Sequence, residues 1–258
     1  MVEALILGIV QGITEFFPVS STAHLILLPW FFKWGGDLDT LTFDVALHAG
    51  TLLALILCFW RDWIEMLTSK RRLFFLIIIA SIPAGIAGVL FNDVIEKSLR
   101  SPYIISISLI AIGIVMFFSE KMFKHRSIEN LNLIDAVVIG LSQAVALVPG
   151  VSRSGITISA GLFRGLDRSS SARFSFLLST PVIAGATLLH AKKMMTGTNH
   201  YNLSLFMVGI AASAITGYAA LRFLMNFFRK YSLNAFVYYR FFLAAVIIAG
   251  IWLKISKV

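Results

Sequence analysis

Gln11-Gly12-Ile13-Thr14-Glu15-Phe16-Phe17-Pro18-Val19-Ser20-Ser21-Thr22-Ala23-His24 is the stretch on which the fold turns. It lies inside an apolar region, residues 2–32, and interrupts it with a proline and a run of hydroxyls. Gln11 and Glu15 are four apart and share one helix face. Pro18 ends that helix or forces a turn. Ser20, Ser21 and Thr22 follow where a new helix would begin, so their hydroxyls can cap it while its free N–H groups point into the break. His24, three residues after Ser21, shares the face of that second helix. Each apolar arm is about 15 residues, short of the ~20 a bilayer-spanning helix needs. Two short helices meeting at a polar break predict a re-entrant hairpin, a form tolerated only inside a bundle or beside a water-filled cavity.

The pattern returns in residues 133–165. Leu7-Gly8-Ile9-Val10-Gln11 recurs as Ile139-Gly140-Leu141-Ser142-Gln143, and Pro18-Val19-Ser20-Ser21 as Pro149-Gly150-Val151-Ser152. This pairing implies one residue deleted between the glutamine and the proline. Six further apolar blocks, roughly 41–60, 73–91, 103–118, 172–190, 203–222 and 235–253, read as spans, the third being short enough to run into its flanks. Each half, 1–118 and 133–258 of a single membrane domain 1–258, then holds one hairpin and three spans. Three is odd, so the second half sits inverted relative to the first. The expected fold is an all-α polytopic membrane protein, an inverted-topology repeat with about six transmembrane helices and two re-entrant hairpins, and such repeats meet at a site near the midplane.

Composition agrees. Of 258 residues, 58% are hydrophobic and 14% charged, with mean hydropathy +0.87, against about 25% charged in soluble domains. The net charge of +9 does not point to nucleic acid, because the basic residues gather in short loops between apolar blocks, where they set orientation. With the N-terminus outside, the inside loops hold 13 Lys and Arg and the outside segments 7, which favours both termini outside. The start, Met1-Val2-Glu3, lacks the basic region of a cleavable signal peptide. Cys58 is the single cysteine. It stands in an apolar run, cannot form an internal disulfide, and reads as a small buried residue.

The second break carries Ser152-Arg153-Ser154-Gly155-Ile156-Thr157. A helix N-terminus attracts anions, and an arginine adds a planar fork suited to phosphate. If the halves pack together, two helix N-termini and Arg153 converge beside Glu15. An anion site next to a carboxylate is coherent when a divalent cation lies between them, and Glu15 and Gln11 are hard oxygen ligands of the kind Mg²⁺ accepts alongside substrate phosphates. Taken singly, each residue has a plainer account. Glu15 could be interfacial, Arg153 could snorkel, the hydroxyls could bond neighbouring backbone, and His24 could be a satisfied interfacial histidine. Their combination at two corresponding breaks carries the weight. Asp44 and His48 share a helix face and could line the cavity. Arg240 reads as part of an aromatic interface with Tyr238 and Tyr239, Asp135 as a helix-dipole partner and Glu120 as solvated.

These motifs resemble the undecaprenyl-diphosphate phosphatase family of the bacitracin-resistance type. Its first motif, Glu or Gln, three residues, Glu, then Pro-Val-Ser-Ser-Thr-x-His, is similar to Gln11 to His24. Its second, Pro-Gly-x-Ser-Arg-Ser-Gly-x-Thr, is similar to Pro149 to Thr157. The resemblance covers essentially the whole chain. It implies an enzyme of a bacterial plasma membrane, with its site on the extracytoplasmic side, that removes the terminal phosphate of a C55 polyprenyl diphosphate, returns the monophosphate carrier to peptidoglycan synthesis and confers bacitracin resistance. It implies that Glu15 and Gln11 hold a divalent cation, Mg²⁺ or alternatively Ca²⁺. It further implies that Arg153 and Ser152, with Ser20, Thr22, Ser154 and Thr157 nearby, hold the diphosphate. Ser21 is then the candidate nucleophile with His24 as base or general acid, and a water positioned by His24 or Glu15 is the alternative. Gln at position 11 leaves most of the metal's charge to Glu15 and the substrate. The partners implied are the lipid substrate and membrane lipids, not nucleic acid, and the oligomeric state is left open, a homodimer included. The phosphohistidine pattern of acid-phosphatase-type lipid phosphatases is not present, since Thr157 stands where its histidine would be, and no P-loop glycine pattern occurs. The rival class is a transporter or flippase that uses the same inverted-repeat cavity.

Overall fold

A computed structural model describes residues 1–122, 125–196 and 202–253, with the side chains of 92–98 and 192–196 outside that description. Of the basic residues in the orientation count, Lys97, Lys124, Lys192, Lys193, Lys254 and Lys257 fall outside it. Among the described residues the regular structure is helical, with no strand, only an isolated bridge between Arg126 and Leu166. The first half comprises α1 (Val2–Thr14), α2 (Ser21–Phe32), α3 (Leu41–Thr68), α4 (Arg71–Ser98) and α5 (Pro102–Ser119). The second comprises α6 (Leu133–Val145), α7 (Arg153–Phe163), α8 (Arg168–Thr196), α9 (Leu203–Phe227) and α10 (Asn234–Trp252).

Six of these, α3, α4, α5, α8, α9 and α10, are long and apolar enough to cross a bilayer, and they coincide with the six blocks read from the sequence. The other four have 13, 12, 13 and 11 residues. At 1.5 Å per residue that is about 20 Å or less, against a ~30 Å hydrocarbon core. Each short pair folds back on itself at its break, α1 on α2 and α6 on α7. Large apolar side chains such as Val89, Ile107, Leu188 and Ile215 face outward, the arrangement a lipid solvent permits and water penalises.

The two halves exchange their first helices. α1 packs along α9 of the second half, and α6 packs along α4 of the first. Small residues make both approaches close. A Cβ on Gly8 would lie 2.5 Å from the Gly209 carbonyl oxygen and 2.8 Å from Ala212 Cβ, and one on Gly140 would lie 2.5 Å from the Ala80 carbonyl oxygen. In lipid no hydrophobic force drives helices together, so such backbone contact is what holds them. α5 packs on α10 and α3 on α8, each helix meeting its own counterpart across the pseudo-twofold relation.

That relation corrects the repeat register expected from the sequence. Ser20 and Ser152 are the equivalent residues. Both cap a helix and both hold positive φ, 74° and 72°, with ψ of 96° and 112°. One constant offset takes Gln11 to Gln143, Ser20 to Ser152 and Pro102 to Asn234. No residue is deleted. Pro18 corresponds to Gly150, and Ser21 corresponds to Arg153. Similar letters had aligned the prolines, whereas the backbone conformation aligns the caps.

Candidate active site

Glu15 stands at the C-terminal cap of α1, still in helical conformation (φ −61°, ψ −41°). That leaves its side chain on the face of Gln11, one turn earlier. After it the chain turns through Phe16–Val19, and Ser20 starts α2 by accepting a hydrogen bond from the Ala23 amide at 3.4 Å. Positive φ in a non-glycine residue costs on the order of 1–3 kcal/mol and clusters at functional sites. Here Ser20 and Ser152 hold it at the same place in each half, and Lys33, the third such residue among those described, takes it at the C-terminal cap of α2.

The Glu15 carboxylate is 2% exposed and gathers four partners. Its Oε2 accepts from Ser21 Oγ at 2.7 Å and from Gln11 Nε2 at 3.0 Å, and lies 3.3 Å from His48 Nε2. Its Oε1 is ion-paired with Arg153, reaching across from the N-terminus of α7. The two breaks therefore meet through a carboxylate and a guanidinium. Ser154 Oγ also donates across the interface, to the Phe17 carbonyl at 3.1 Å.

Several residues chosen from the sequence stand elsewhere. His24 does not bond to Ser21. Its Nδ1 lies 2.7 Å from the Ser20 carbonyl, its Nε2 lies 2.7 Å from the Tyr239 hydroxyl, and its ring stacks on Tyr239. A carbonyl only accepts, so Nδ1 carries the proton and a neutral ring offers Nε2 to the tyrosine. Thr157 is a buried rung between α7 and α8, with Oγ1 donating to the Arg153 carbonyl at 2.7 Å and 2.6 Å from Ser175 Oγ. Ser152 caps α7, accepting from the Gly155 amide at 3.2 Å. Thr22 faces a cavity of about 660 Å³ between α3, α4, the second break and α8. Ile78, Val89, Pro149, Val182 and Leu189 give this cavity a mostly apolar wall, with Arg100 at one side. Arg100 donates to Asp44 at 3.0 Å.

His48 is the site residue the sequence undervalued. On α3 its Nδ1 lies 2.7 Å from the Asp44 carbonyl, which directs Nε2 at Glu15. Two other expectations are corrected. Arg240 is no interface residue but fully buried. Glu120 is not solvated. It takes a forked ion pair from Arg168 at 2.7–3.0 Å and accepts the Leu233 amide at 2.9 Å, tying α5, α8 and α10 together. Asp135 does sit in the first turn of α6, and it also pairs with Arg126 and Arg164.

Gln11 Oε1 is buried and makes no hydrogen bond among the described residues. It is a hard oxygen without a partner, on the residue whose amide nitrogen holds Glu15. No cluster of three His, Cys, Asp or Glu side chains forms among the described residues. A metal here would therefore rest on few protein ligands, which suits Mg²⁺ completed by water and phosphate oxygens.

The family model described as "Bacitracin resistance protein BacA" matches residues 4–246. The chain belongs to this family. A relative from Thermodesulfovibrio yellowstonii is 55% identical over 95% of both chains. One from Moorella thermoacetica is 46% identical over 98% of this chain and 99% of its own, and one from Geotalea daltonii is 46% identical over 92% and 93%. All three bear the name undecaprenyl-diphosphatase. The BacA match spans both breaks and every helix that contributes to the Glu15 cluster, so the geometry described above falls wholly within the shared region.

Proposed function

We propose that this protein hydrolyses undecaprenyl diphosphate to undecaprenyl phosphate and inorganic phosphate in a bacterial plasma membrane, with the site open to the extracytoplasmic side. The observation that carries the reading is the 2.7 Å bond from Ser21 Oγ to a buried carboxylate, a hydroxyl facing a base at the start of a helix. The orientation rests on the excess of basic residues in the inside loops, and the two short helix pairs are read as re-entrant hairpins.

In this reading the isoprenoid chain lies in the apolar cavity and the diphosphate enters between the N-termini of α2 and α7. Arg153 leaves Glu15 for the phosphate oxygens, where its fork binds in two places. Glu15, released from its ion pair, becomes the base for Ser21. Ser21 Oγ forms a bond to the terminal phosphorus as its proton passes to Glu15, and the bond from that phosphorus to the bridging oxygen breaks. The lipid monophosphate leaves with the electron pair. Glu15 passes that proton to the departing monophosphate and is again a carboxylate. Water then attacks the phosphoserine, its proton going to Glu15 and from there to Ser21 Oγ as the phosphorus–Oγ bond breaks and inorganic phosphate departs. Charge on the phosphoryl oxygens and on the leaving oxygen is met by Arg153 and by the free amides of both helices. His24, fixed between Ser20 and Tyr239, holds the turn before Ser21.

A divalent cation would be held by Glu15 and the free Oε1 of Gln11, with His48 Nε2 as a further donor. When bound, it would neutralise phosphate charge and polarise the phosphoryl oxygens. The test is phosphate release from undecaprenyl diphosphate by purified protein, with and without chelator. Release that disappears in Ser21→Ala is expected. Undiminished release by Ser21→Ala would make water the nucleophile, and no release by folded wild type with metal present would sink the enzyme reading and favour transport.

A further inference from the structure

Arg240 on α10 is fully buried and has no carboxylate partner among the described residues. Its guanidinium donates only to backbone carbonyls. Nε reaches Leu109 at 3.1 Å, and Nη2 reaches Ser108 at 3.2 Å, both on α5. Nη2 also reaches Gly150 at 2.8 Å, and Nη1 reaches Pro18 at 3.3 Å. Pro18 and Gly150 are the equivalent positions of the two breaks under the corrected register. A single side chain therefore grips the same carbonyl in both halves. Its own equivalent is Ser108, whose carbonyl it also binds, so the arginine occupies the pseudo-twofold relation itself and has no mate.

This arrangement is costly without a purpose. An ionised side chain in the membrane interior is rare and marks function by default, and no acid among the described residues offsets this one. The Pro18 and Gly150 carbonyls each lie two residues before the positive-φ serine that starts α2 or α7. The adjacent Tyr239 holds His24 on α2 as well. We propose that Arg240 is a positioning residue that locks the two breaks in one register, so that the amides of both helices and Arg153 converge on a single diphosphate. Its unpaired charge adds to the field that attracts this anion. The inference rests on the diphosphatase reading for its ligand, but the locking itself can be measured without substrate.

Lysine keeps the charge and loses the planar fork, so it cannot reach four carbonyls at once. The experiment compares full-length wild type with Arg240→Lys and Arg240→Gln in detergent. Three readouts are taken: amide hydrogen exchange at 19–23 and 151–155 without substrate, the melting shift produced by inorganic diphosphate, and kcat and KM for undecaprenyl diphosphate. In Arg240→Lys, exchange should rise about 10-fold or more at both breaks together. Its kcat should fall roughly 10²-fold, the cost of an ångström-scale misplacement, with a smaller change in KM. In Arg240→Gln the diphosphate-induced melting shift should also shrink, because the charge is gone. A folded Arg240→Lys whose exchange is unchanged at either break, or whose kcat stays within about 3-fold of wild type, would overturn the proposal. If neither variant folds, ¹⁵N spectra of the wild-type arginine side chains decide. Slowly exchanging Arg240 guanidinium protons that shift on adding inorganic diphosphate support the inference, and fast exchange or no shift overturns it. Wild type inert toward undecaprenyl diphosphate, with the exchange result intact, would sink the diphosphatase reading while leaving the lock in place.

Discussion

The first and second breaks share a backbone and differ in what it carries. Each runs from a glutamine on a short helix to a serine cap with positive φ and into a second short helix. In the first break the residue four after the glutamine is Glu15 and the residue after the cap is Ser21. In the second, the same positions hold Leu147 and Arg153. One half thus supplies the carboxylate and the hydroxyl, and the other supplies the cation. A repeated scaffold brings two helix N-termini to one place, and in the proposed mechanism the difference at two positions makes that cradle an acid–base site with an electrostatic clamp. The pair between Arg153 and Glu15 joins the two halves, and neither half supplies both partners at its own break.

The strongest way to break this comparison is to remove the chemistry from the first break alone. Ser21→Ala and Glu15→Gln should each lower kcat by about 10³-fold or more, the scale seen when members of a nucleophile–base unit are removed. Combining them should cost little beyond either one. Additive losses, measured as phosphate release by the double variant, would mean that the two residues do not act as a unit. In the second break, Arg153→Lys keeps the charge but cannot bind a phosphate through two parallel hydrogen bonds. A loss of about 10²-fold in kcat/KM is expected, and full activity would reduce Arg153 to a point charge.

The two glutamines sharpen the contrast. Gln11 donates to Glu15. Gln143, its equivalent, is buried with neither amide atom bonded to a partner among the described residues, and the position equivalent to Glu15 is Leu147, which offers its amide no acceptor. Leaving a buried amide unpaired costs about 1–3 kcal/mol. Gln143→Leu should therefore leave activity intact and raise the melting temperature by a few degrees, at ~2–4 °C per kcal/mol for chains of this size. Gln11→Leu should cost activity, about 10-fold, by freeing the Glu15 rotamer. Equal behaviour of the two variants would show that the halves have not diverged as described.

Much of this was legible in the residues. Long apolar blocks gave the six spans, and Pro and Ser at corresponding places marked both breaks. Glu15, Ser21 and Arg153 could be chosen because ionisable and hydroxyl groups are conspicuous against an apolar background. What stayed hidden depended on distances between helices. His24 is as close to Ser21 in sequence as a base could be, yet it bonds Tyr239, which is 215 positions away. His48 reaches Glu15 from α3, and only its face shared with Asp44 hinted at a role. Arg240 looked interfacial because it follows two tyrosines, and nothing local showed that backbone carbonyls from three segments would meet it. Residue identity pairs Pro18 with Pro149, whereas the positive-φ caps pair Ser20 with Ser152 and so set the register.

The two breaks also differ in how their first helices are anchored, and acid should expose it. α1 begins at Val2, and its N-cap residue, Met1, makes no side-chain cap bond. α6 begins with a capping box between Asn132 and Asp135, and Asp135 also receives Arg126 at 2.6 Å and Arg164 at 2.7 Å. Burial alone would raise the Asp135 carboxyl, but the bonds from Arg126, Arg164 and the Asn132 amide outweigh it and hold the group below the usual carboxylate range. A lowered folded-state value means that the ionised form stabilises the fold. The contribution is complete above the unfolded value of about 4 and is lost as pH falls through the lower folded value. Wild type should therefore melt above Asp135→Asn at neutral pH, by roughly 4 °C for a contribution of ~1–2 kcal/mol, a modest figure because both arginines are partly in water. The gap should close as pH drops below about 4. A gap constant from pH 7 to pH 3 would assign the anchor to the capping hydrogen bonds rather than to charge. In that case the second break would owe its position to the Gly140 contact and to Arg240, as the first owes its own to Gly8 and the same arginine.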